Sequence, residues 1–288
     1  MDVPEPGVAD SLRCTRRRVL GASASIAALA AMGLGGNAHA QSKRERGGAG
    51  TLPALPEFRR LVAANRILAN EGVVDAFGHI SVRDPRNPKQ FVLARSRSPA
   101  LVELGDLMEF DAEGAPLDAR GRTPYGERMI HAAVYEARPD VMSVVHHHAY
   151  AVLPFAITNT PLKPVIHTAS LIGAEIPVWD SRTRFGATDM LVRTLDQGRD
   201  LAKTLGPHTC ALMRGHGAVV VAGSIQAAVM TAVYMLVNAN VEREALALGK
   251  PEGLSAAEIE KSAATQLSPL ALDRAWEYFC QRAGVEAV

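Results

Sequence analysis

The chain has 288 residues, of which 48% are hydrophobic and 21% are charged, and its formal net charge is +1. This is the balance of an ordinary globular protein that is long enough to bury a large core. The near-neutral charge provides no basic face for nucleic acid, so no nucleic-acid partner is expected.

The first forty residues (1–40) are predicted to be a twin-arginine signal peptide. The motif Thr15-Arg16-Arg17-Arg18 precedes a weakly apolar stretch rich in alanine and glycine, and Ala38-His39-Ala40 is typical of a cleavage site. Glycine and serine interrupt the stretch, which is too short for a stable membrane span. We therefore expect export to the periplasm. The alternative is a disordered tail or a misassigned start codon on a protein that stays in the cytoplasm.

Residues 41–53 are rich in glycine and charged side chains and predict a flexible linker, so the folded domain is expected over residues 54–288. Its first predicted elements are a helix over Pro56–Glu71, strands over Ile80–Arg83, Phe91–Ala94 and Leu107–Phe110, a helix from about Gly126 to Ala137, and a strand over Met142–His148.

The later predicted elements are a helical Tyr150–Ile157, an extended Ile176–Trp179, a helical Thr188–Leu205 with loops, strands over Cys210–Met213 and Ala218–Ala222, and helices over Ser224–Leu248 and from Ala256 to about Arg282. Because helices and strands are mixed along the chain and no internal repeat is present, the sequence predicts one α/β domain. Cys210 and Cys280 lie in apolar patterns that favour buried free thiols over a disulfide.

A histidine-rich strand is the strongest functional signal. Alternate side chains of a strand share a face, so His146 and His148 point the same way while His147 points to the other face, where a structural role is expected. Their Cβ atoms would be roughly 6.6 Å apart, a span that one metal ion bonded at about 2.1 Å to each ring can bridge.

Two further residues are candidates to complete a metal site. His216 lies in the tight Arg214-Gly215-His216-Gly217 turn, and Glu127 heads the helix that also carries His131. Three imidazoles with an open position are typical of a catalytic metal site. Glu127 is interpreted as a fourth ligand, a general acid/base, or an acidic residue that stabilises the helix N-terminus.

Four motifs, in this order and spacing, resemble the class II aldolase/adducin family: Phe77–Arg83, Tyr125–His131, Val145–His148 and Arg214–Gly217. The resemblance covers roughly Leu61 to Leu248. It implies a three-layer α/β/α sandwich around a mixed, largely antiparallel sheet, assembled as a homotetramer. It also implies that His146, His148 and His216 bind a divalent ion, Mn²⁺, Zn²⁺, Fe²⁺ or Co²⁺, and that Glu127 is the catalytic acid/base.

The chain departs from the members of this family that cleave sugar phosphates. They carry Gly-Asn where this chain has Gly78-His79, Thr-Gly near Arg95-Ser96, and Ser-Ser where it has Tyr125-Gly126. Parts of their phosphate cradle are therefore altered. The replacements are similar to those of a metal-dependent decarboxylase branch that includes 3-hydroxy-2-methylpyridine-4,5-dicarboxylate decarboxylase.

The resemblance implies a decarboxylase of a hydroxylated aromatic or pyridine dicarboxylate, or of a hydroxymuconic-type acid, that works through a metal-stabilised enolate. His79, Ser81 and either Arg95 or Arg97 would bind the remaining carboxylate, although each arginine is equally interpretable as an ordinary surface residue. The alternatives are an aldolase that cleaves a hydroxy-carbonyl substrate, such as a sugar or sugar phosphate, and a non-catalytic adducin-like interaction module.

Overall fold

One mixed sheet organises the part of the chain that the computed structural model describes, residues 52–53 and 55–288. Its strands are β1 (His79–Arg83), β2 (Phe91–Ala94), β3 (Leu107–Phe110), β4 (Ser143–His147), β5 (Val178–Trp179), β6 (Cys210–Met213) and β7 (Gly217–Ala222). The spatial order is β3-β2-β1-β4-β7-β6-β5, and all neighbouring strands pair antiparallel except β5 and β6. The predicted mixed, largely antiparallel sheet is confirmed.

Helices cover both faces of this sheet. They are α1 (Pro56–Asn70), α2 (Arg128–Ala137), α3 (Leu153–Ile157), α4 (Arg182–Phe185), α5 (Leu195–Leu205), α6 (Ile225–Leu248), α7 (Ala256–Gln266) and α8 (Pro269–Ala283). Apolar strand residues alternate between two core clusters: Val145 packs with α1, α6 and α8, and Val144 packs with α2 and α5. The predicted three-layer α/β/α sandwich is therefore confirmed.

Helices α2 and α5 make an unusually close contact beside the sheet. A Cβ atom built on Gly198 of α5 would lie 2.4 Å from the carbonyl oxygen of Met129 in α2, so only glycine fits there. Thr194 and Gln197 form a capping box that begins α5. This contact fixes α2, whose N-terminal end carries Glu127.

The single helix predicted from Ala256 to about Arg282 is wrong, because the structure has two helices there. α7 ends at Gln266 and α8 begins at Pro269. Proline has no N–H to donate and fits the first turn of a helix, and the Ser268 hydroxyl accepts a hydrogen bond from the Ala271 N–H to cap the new start.

The remaining structural predictions concern the two cysteines, the N-terminal segments and a membrane span. Cys210 and Cys280 are buried free thiols, as predicted. The predicted signal peptide and all but the end of the linker lie outside the described residues, so those boundaries stay predictions. No helix in residues 52–53 and 55–288 has the length and apolar character needed to span a membrane.

Candidate metal centre

The central strand β4 places the first histidine of the site. His146 lies opposite His79 of β1 and Val219 of β7, in the middle of the sheet. Strand β4 ends at His147, one residue earlier than predicted, and His148 follows directly. His147 stays out of the site, and its Nδ1 accepts a hydrogen bond from the Ala149 N–H.

The turn between β6 and β7 delivers His216 to the same point. Gly215 has φ of +65°, a conformation that side chains disfavour. A Cβ atom at Gly217 would lie 2.0 Å from the carbonyl oxygen of His147, so glycine is required for β7 to pass so close to β4. The two glycines thus explain the Gly-His-Gly pattern of the sequence.

The end of α2 brings in the carboxylate. Glu127 immediately precedes the helix and is 8% exposed. Its Oε1 accepts a hydrogen bond of 2.9 Å from the Val192 N–H. This bond turns Oε2 toward His146 and His216, whose Nε2 atoms lie 3.5 and 3.6 Å away.

Ligand atoms of Glu127, His146, His148 and His216 therefore converge, all within 4.8 Å of one another. The Nε2 atom of His148 lies 3.0 Å from the Nε2 atoms of both other histidines. The structure brings together every residue that the sequence proposed for metal binding or proton transfer.

The hydrogen bonds of the Nδ1 atoms, which face away from the point of convergence, indicate what the four side chains can bind. Nδ1 of His146 lies 3.2 Å from the Ala218 carbonyl and Nδ1 of His216 lies 2.9 Å from the Met190 carbonyl. Because a carbonyl only accepts, each Nδ1 carries the hydrogen and each Nε2 presents a lone pair. Three ring nitrogens that meet at 3.0 Å beside a carboxylate oxygen, two of them presenting lone pairs, form a donor set that fits a divalent ion.

The charge states agree with that donor set. Burial, with the neighbouring rings of His146 and His216, lowers the pKa of His148 to about 4, so its imidazole is neutral at pH 7. Burial acts to raise the pKa of Glu127, but the charge of the His146 and His216 rings in their protonated forms, with their hydrogen bonds to the carboxylate, outweighs it and holds that pKa well below its usual value. A neutral His148 and an ionised Glu127 each offer a lone pair, as a metal ligand must.

A cavity of about 380 Å³ opens beside these ligands, and Glu127 and His148 form part of its wall. His79 lines it, as expected of a substrate-binding residue. Arg193 also lines it, and its Nε lies 2.6 Å from Asp189 Oδ2. Sequence reasoning missed Arg193 because nothing local distinguished it from a surface arginine.

The other predicted substrate-binding residues do not line this cavity. Ser81 is fully buried behind His131. Nε of Arg95 and Nη1 of Arg97 each lie 2.6 Å from a different carboxylate oxygen of Asp106. Both arginines are thus paired with one buried carboxylate and neither lines this cavity, so a direct contact of either with substrate stays a prediction.

Comparison with known proteins identifies the family. The sequence profile described as Class II Aldolase and Adducin N-terminal domain matches residues 59–242, the region that holds all four converging side chains. The chain belongs to this family. It is 35% identical over 210 residues to decarboxylase tropJ of Talaromyces stipitatus, an alignment that covers 68% of this chain and 79% of the relative.

A second relative is also named a decarboxylase, and a solved structure shares the fold. The 3,4-dihydroxyphthalate decarboxylase of a Terrabacter species is 30% identical over 190 residues, which cover 61% of this chain and 75% of the relative. The L-fuculose 1-phosphate aldolase of Glaciozyma antarctica superimposes with a TM-score of 0.64 over 79% of this chain and 90% of that one. At 23% identity, that structure supports the fold alone.

Removing a converging histidine should remove the metal. We expect His146→Ala, His148→Ala and His216→Ala each to lose most of the zinc or manganese that the wild-type protein binds, because each substitution deletes one lone pair. Metal content after loading and desalting measures this. His147→Ala, adjacent on the opposite face, is the matched control and should keep its metal. Full occupancy in the His146→Ala/His148→Ala double variant would contradict the assignment.

Proposed function

We propose that this chain is a divalent-metal-dependent decarboxylase of a hydroxylated aromatic or pyridine dicarboxylate, or of a hydroxymuconic-type acid. The observation that carries the proposal is the convergence of Glu127, His146, His148 and His216 beside a cavity whose wall includes Arg193. Relatives at 30 and 35% identity that are named decarboxylases support the same class of carbon–carbon lyase.

The three histidines would hold the ion, and Glu127 would move the proton. A bound divalent ion would act as a Lewis acid that draws electron density from the substrate oxygens while the bond to the departing CO₂ breaks. Glu127 is ionised, so it first takes a proton from the substrate hydroxyl and then gives it to the carbon that has lost CO₂. The reaction takes up one proton overall, which the hydroxyl oxygen recovers from water.

The second carboxylate of the substrate would be bound by His79 and Arg193. Both line the cavity, and a guanidinium is suited to two-pronged contact with a carboxylate. Ser81, which is buried behind His131, would act on this contact through the His131 ring. Arg95 and Arg97 would shape the wall through Asp106 and the Tyr125 hydroxyl, which donates to the Arg97 carbonyl.

The function is tested by a screen for CO₂ release. Zinc- or manganese-loaded protein should decarboxylate 3,4-dihydroxyphthalate or a related hydroxy-dicarboxylate far faster than it splits L-fuculose 1-phosphate, because the cavity offers a carboxylate site. Ketose phosphate cleavage without decarboxylation would instead establish the aldolase alternative. A protein that binds no metal and turns over neither substrate would establish the interaction-module alternative.

Arginine variants provide the matched control for this screen. Arg193→Gln should raise KM for the dicarboxylate about tenfold, the scale of a lost hydrogen bond to a charged group. Arg199→Gln removes a similarly exposed arginine of α5 that pairs with Glu136 outside the cavity, and it should leave KM unchanged.

Glu127→Gln should keep substrate affinity and lose turnover. The amide preserves shape but cannot carry the proton, so we expect kcat to fall by about 10²-fold or more. Metal content distinguishes its two proposed roles, because a ligand role predicts metal loss and an acid/base role predicts metal retention. Glu136→Gln, an exposed glutamate of the same helix, is the control. Wild-type turnover in Glu127→Gln would leave Glu127 as a helix-end residue.

We also propose export through the twin-arginine route and assembly as a homotetramer, both of which rest on sequence and resemblance. Arg16→Lys/Arg17→Lys should leave an active protein in the cytoplasm, while the exported wild-type chain should begin at Gln41. Arg13→Lys, outside the pair, should not affect export. N-terminal sequencing of fractionated native-host protein measures this, and an intact N-terminus on cytoplasmic protein would overturn export.

A further inference from the structure

One irregular segment of the chain contacts two of the four converging side chains through its backbone. Residues 189–193 lie between α4 and α5. The Met190 carbonyl accepts a hydrogen bond of 2.9 Å from Nδ1 of His216. Two residues later, the Val192 N–H donates a hydrogen bond of 2.9 Å to Oε1 of Glu127. We call residues 189–193 the ligand-orienting segment.

Met190 gives the ligand-orienting segment its direction. Its φ of +66° lies in the left-handed region, which residues other than glycine seldom adopt and which persists only where the surrounding contacts hold it. The Thr188 hydroxyl accepts the Met190 N–H at 3.0 Å. The Asp189 carboxylate accepts the Leu191 N–H at 3.2 Å. If Met190 adopted the right-handed region instead, the chain after it would change direction, and the hydrogen bonds of the segment to the metal ligands would be lost.

The same segment forms part of the cavity wall. The Val192 side chain is fully buried among apolar residues of α2 and α5, which anchors the segment. Arg193 follows directly, pairs through its Nε with the Asp189 carboxylate at 2.6 Å, and lines the cavity. The position of this guanidinium therefore depends on the backbone that also orients two of the converging side chains.

We propose that Met190 is a positioning residue for the metal centre and that it acts through its left-handed backbone conformation. This conformation aims Nε2 of His216 and Oε2 of Glu127 at the point where a divalent ion would bind. It also places Arg193 in the cavity wall. The affinity for metal and the affinity for a substrate carboxylate therefore depend on one backbone conformation. The statement about the carboxylate rests on the proposed function, whereas the statement about the metal does not.

The competing explanation is that Met190 acts through its side chain. Its Cε atom would lie 3.1 Å from a Cβ atom built on Gly215, so the side chain covers the turn that carries His216. Two substitutions separate these explanations. Asparagine adopts the left-handed region far more readily than a β-branched residue does, whereas isoleucine preserves an apolar side chain of similar size. The backbone explanation predicts that asparagine is tolerated and isoleucine is not, and the side-chain explanation predicts the reverse order.

Zinc affinity, measured by competition with a chromogenic chelator, decides between the two explanations. Met190→Asn and Met190→Gly should keep the wild-type affinity, because both residues accept the left-handed conformation. Met190→Ile should bind zinc about 10- to 100-fold more weakly, the usual loss when a group that orients a metal ligand is removed. Wild-type affinity in Met190→Ile, or an equal loss in Met190→Asn, would overturn the proposal. If Met190→Ile does not fold, the affinity of Met190→Asn alone decides, since its loss overturns the proposal and its retention supports it.

Cobalt-loaded variants supply a spectroscopic readout that a loss of stability alone would not change. The visible absorption of bound Co²⁺ responds to the number and arrangement of its ligands, so cobalt-saturated Met190→Ile should differ from wild type while Met190→Asn should not. Arg120 provides the matched control, because it is an exposed residue with φ of +45° that does not line the cavity. Arg120→Ile and Arg120→Asn should both keep the wild-type zinc affinity and cobalt spectrum. A wild-type cobalt spectrum in Met190→Ile would overturn the proposal.

Phthalate binding at saturating zinc tests the link to the cavity without turnover. Met190→Ile should weaken phthalate binding about tenfold, as Arg193→Gln should, because both variants take the guanidinium away from the carboxylate. Arg193→Gln should nevertheless bind zinc as the wild type does, which separates the arginine side chain from the backbone of the segment. Wild-type phthalate affinity in Met190→Ile would overturn the dependence of the cavity wall on Met190. If the order of zinc affinities holds but no hydroxy-dicarboxylate is decarboxylated, the proposed reaction alone is rejected.

Discussion

The antiparallel register of β1, β4 and β7 is the constraint on which the site depends. His79 pairs with His146, and His146 pairs with Val219, so the polar residues share the sheet face that α2 covers. On the opposite face, Val145 lies beside Ile80 and Val220 in the apolar layer of α1 and α6. A one-residue slip would exchange the two sets and bury imidazole among aliphatic side chains.

The group beside the Nδ1 atom of each histidine then determines what its Nε2 atom can do. A backbone carbonyl beside Nδ1 leaves a lone pair on Nε2 of His146 and His216, whereas Nδ1 of His79 lies beside the ring of His131. Leaving a buried polar group unpaired costs about 1–3 kcal/mol, so the alternative tautomer of His146 and of His216 is disfavoured. Arg83, the last residue of β1, lies at the end of the strand away from His79, and it donates hydrogen bonds to backbone carbonyls.

Much of this site could be predicted from the sequence because its signals are local. Strand alternation places His146 and His148 together, the glycines around His216 indicate a tight turn, and Glu127 heads a predicted helix, with its catalytic role implied by the resemblance. The ion pairs of Arg95 and Arg97 could not be predicted from the sequence, because their partner Asp106 comes close only when β2 and β3 pair. The break before α8 was local and readable, because Ser268 and Pro269 together favour a helix start. The contacts of His131 in α2 with His79 and Ser81 in β1 join a helix to a strand and need the packing of both.

The residues that line the cavity pack against one another. A single sequence motif therefore does not determine the shape of the cavity wall. A Cβ atom at Gly126 would lie 3.4 Å from Nη1 of Arg193. A serine at this position, as the resemblance gives for the sugar phosphate branch, would therefore place its Cβ atom in van der Waals contact with the guanidinium. Glycine at position 126 leaves that space to Arg193, and the neighbouring Tyr125 ring packs 4.5 Å from the His79 ring. Gly126 and Tyr125 thus fix where the guanidinium of Arg193 and the ring of His79 lie in the cavity wall.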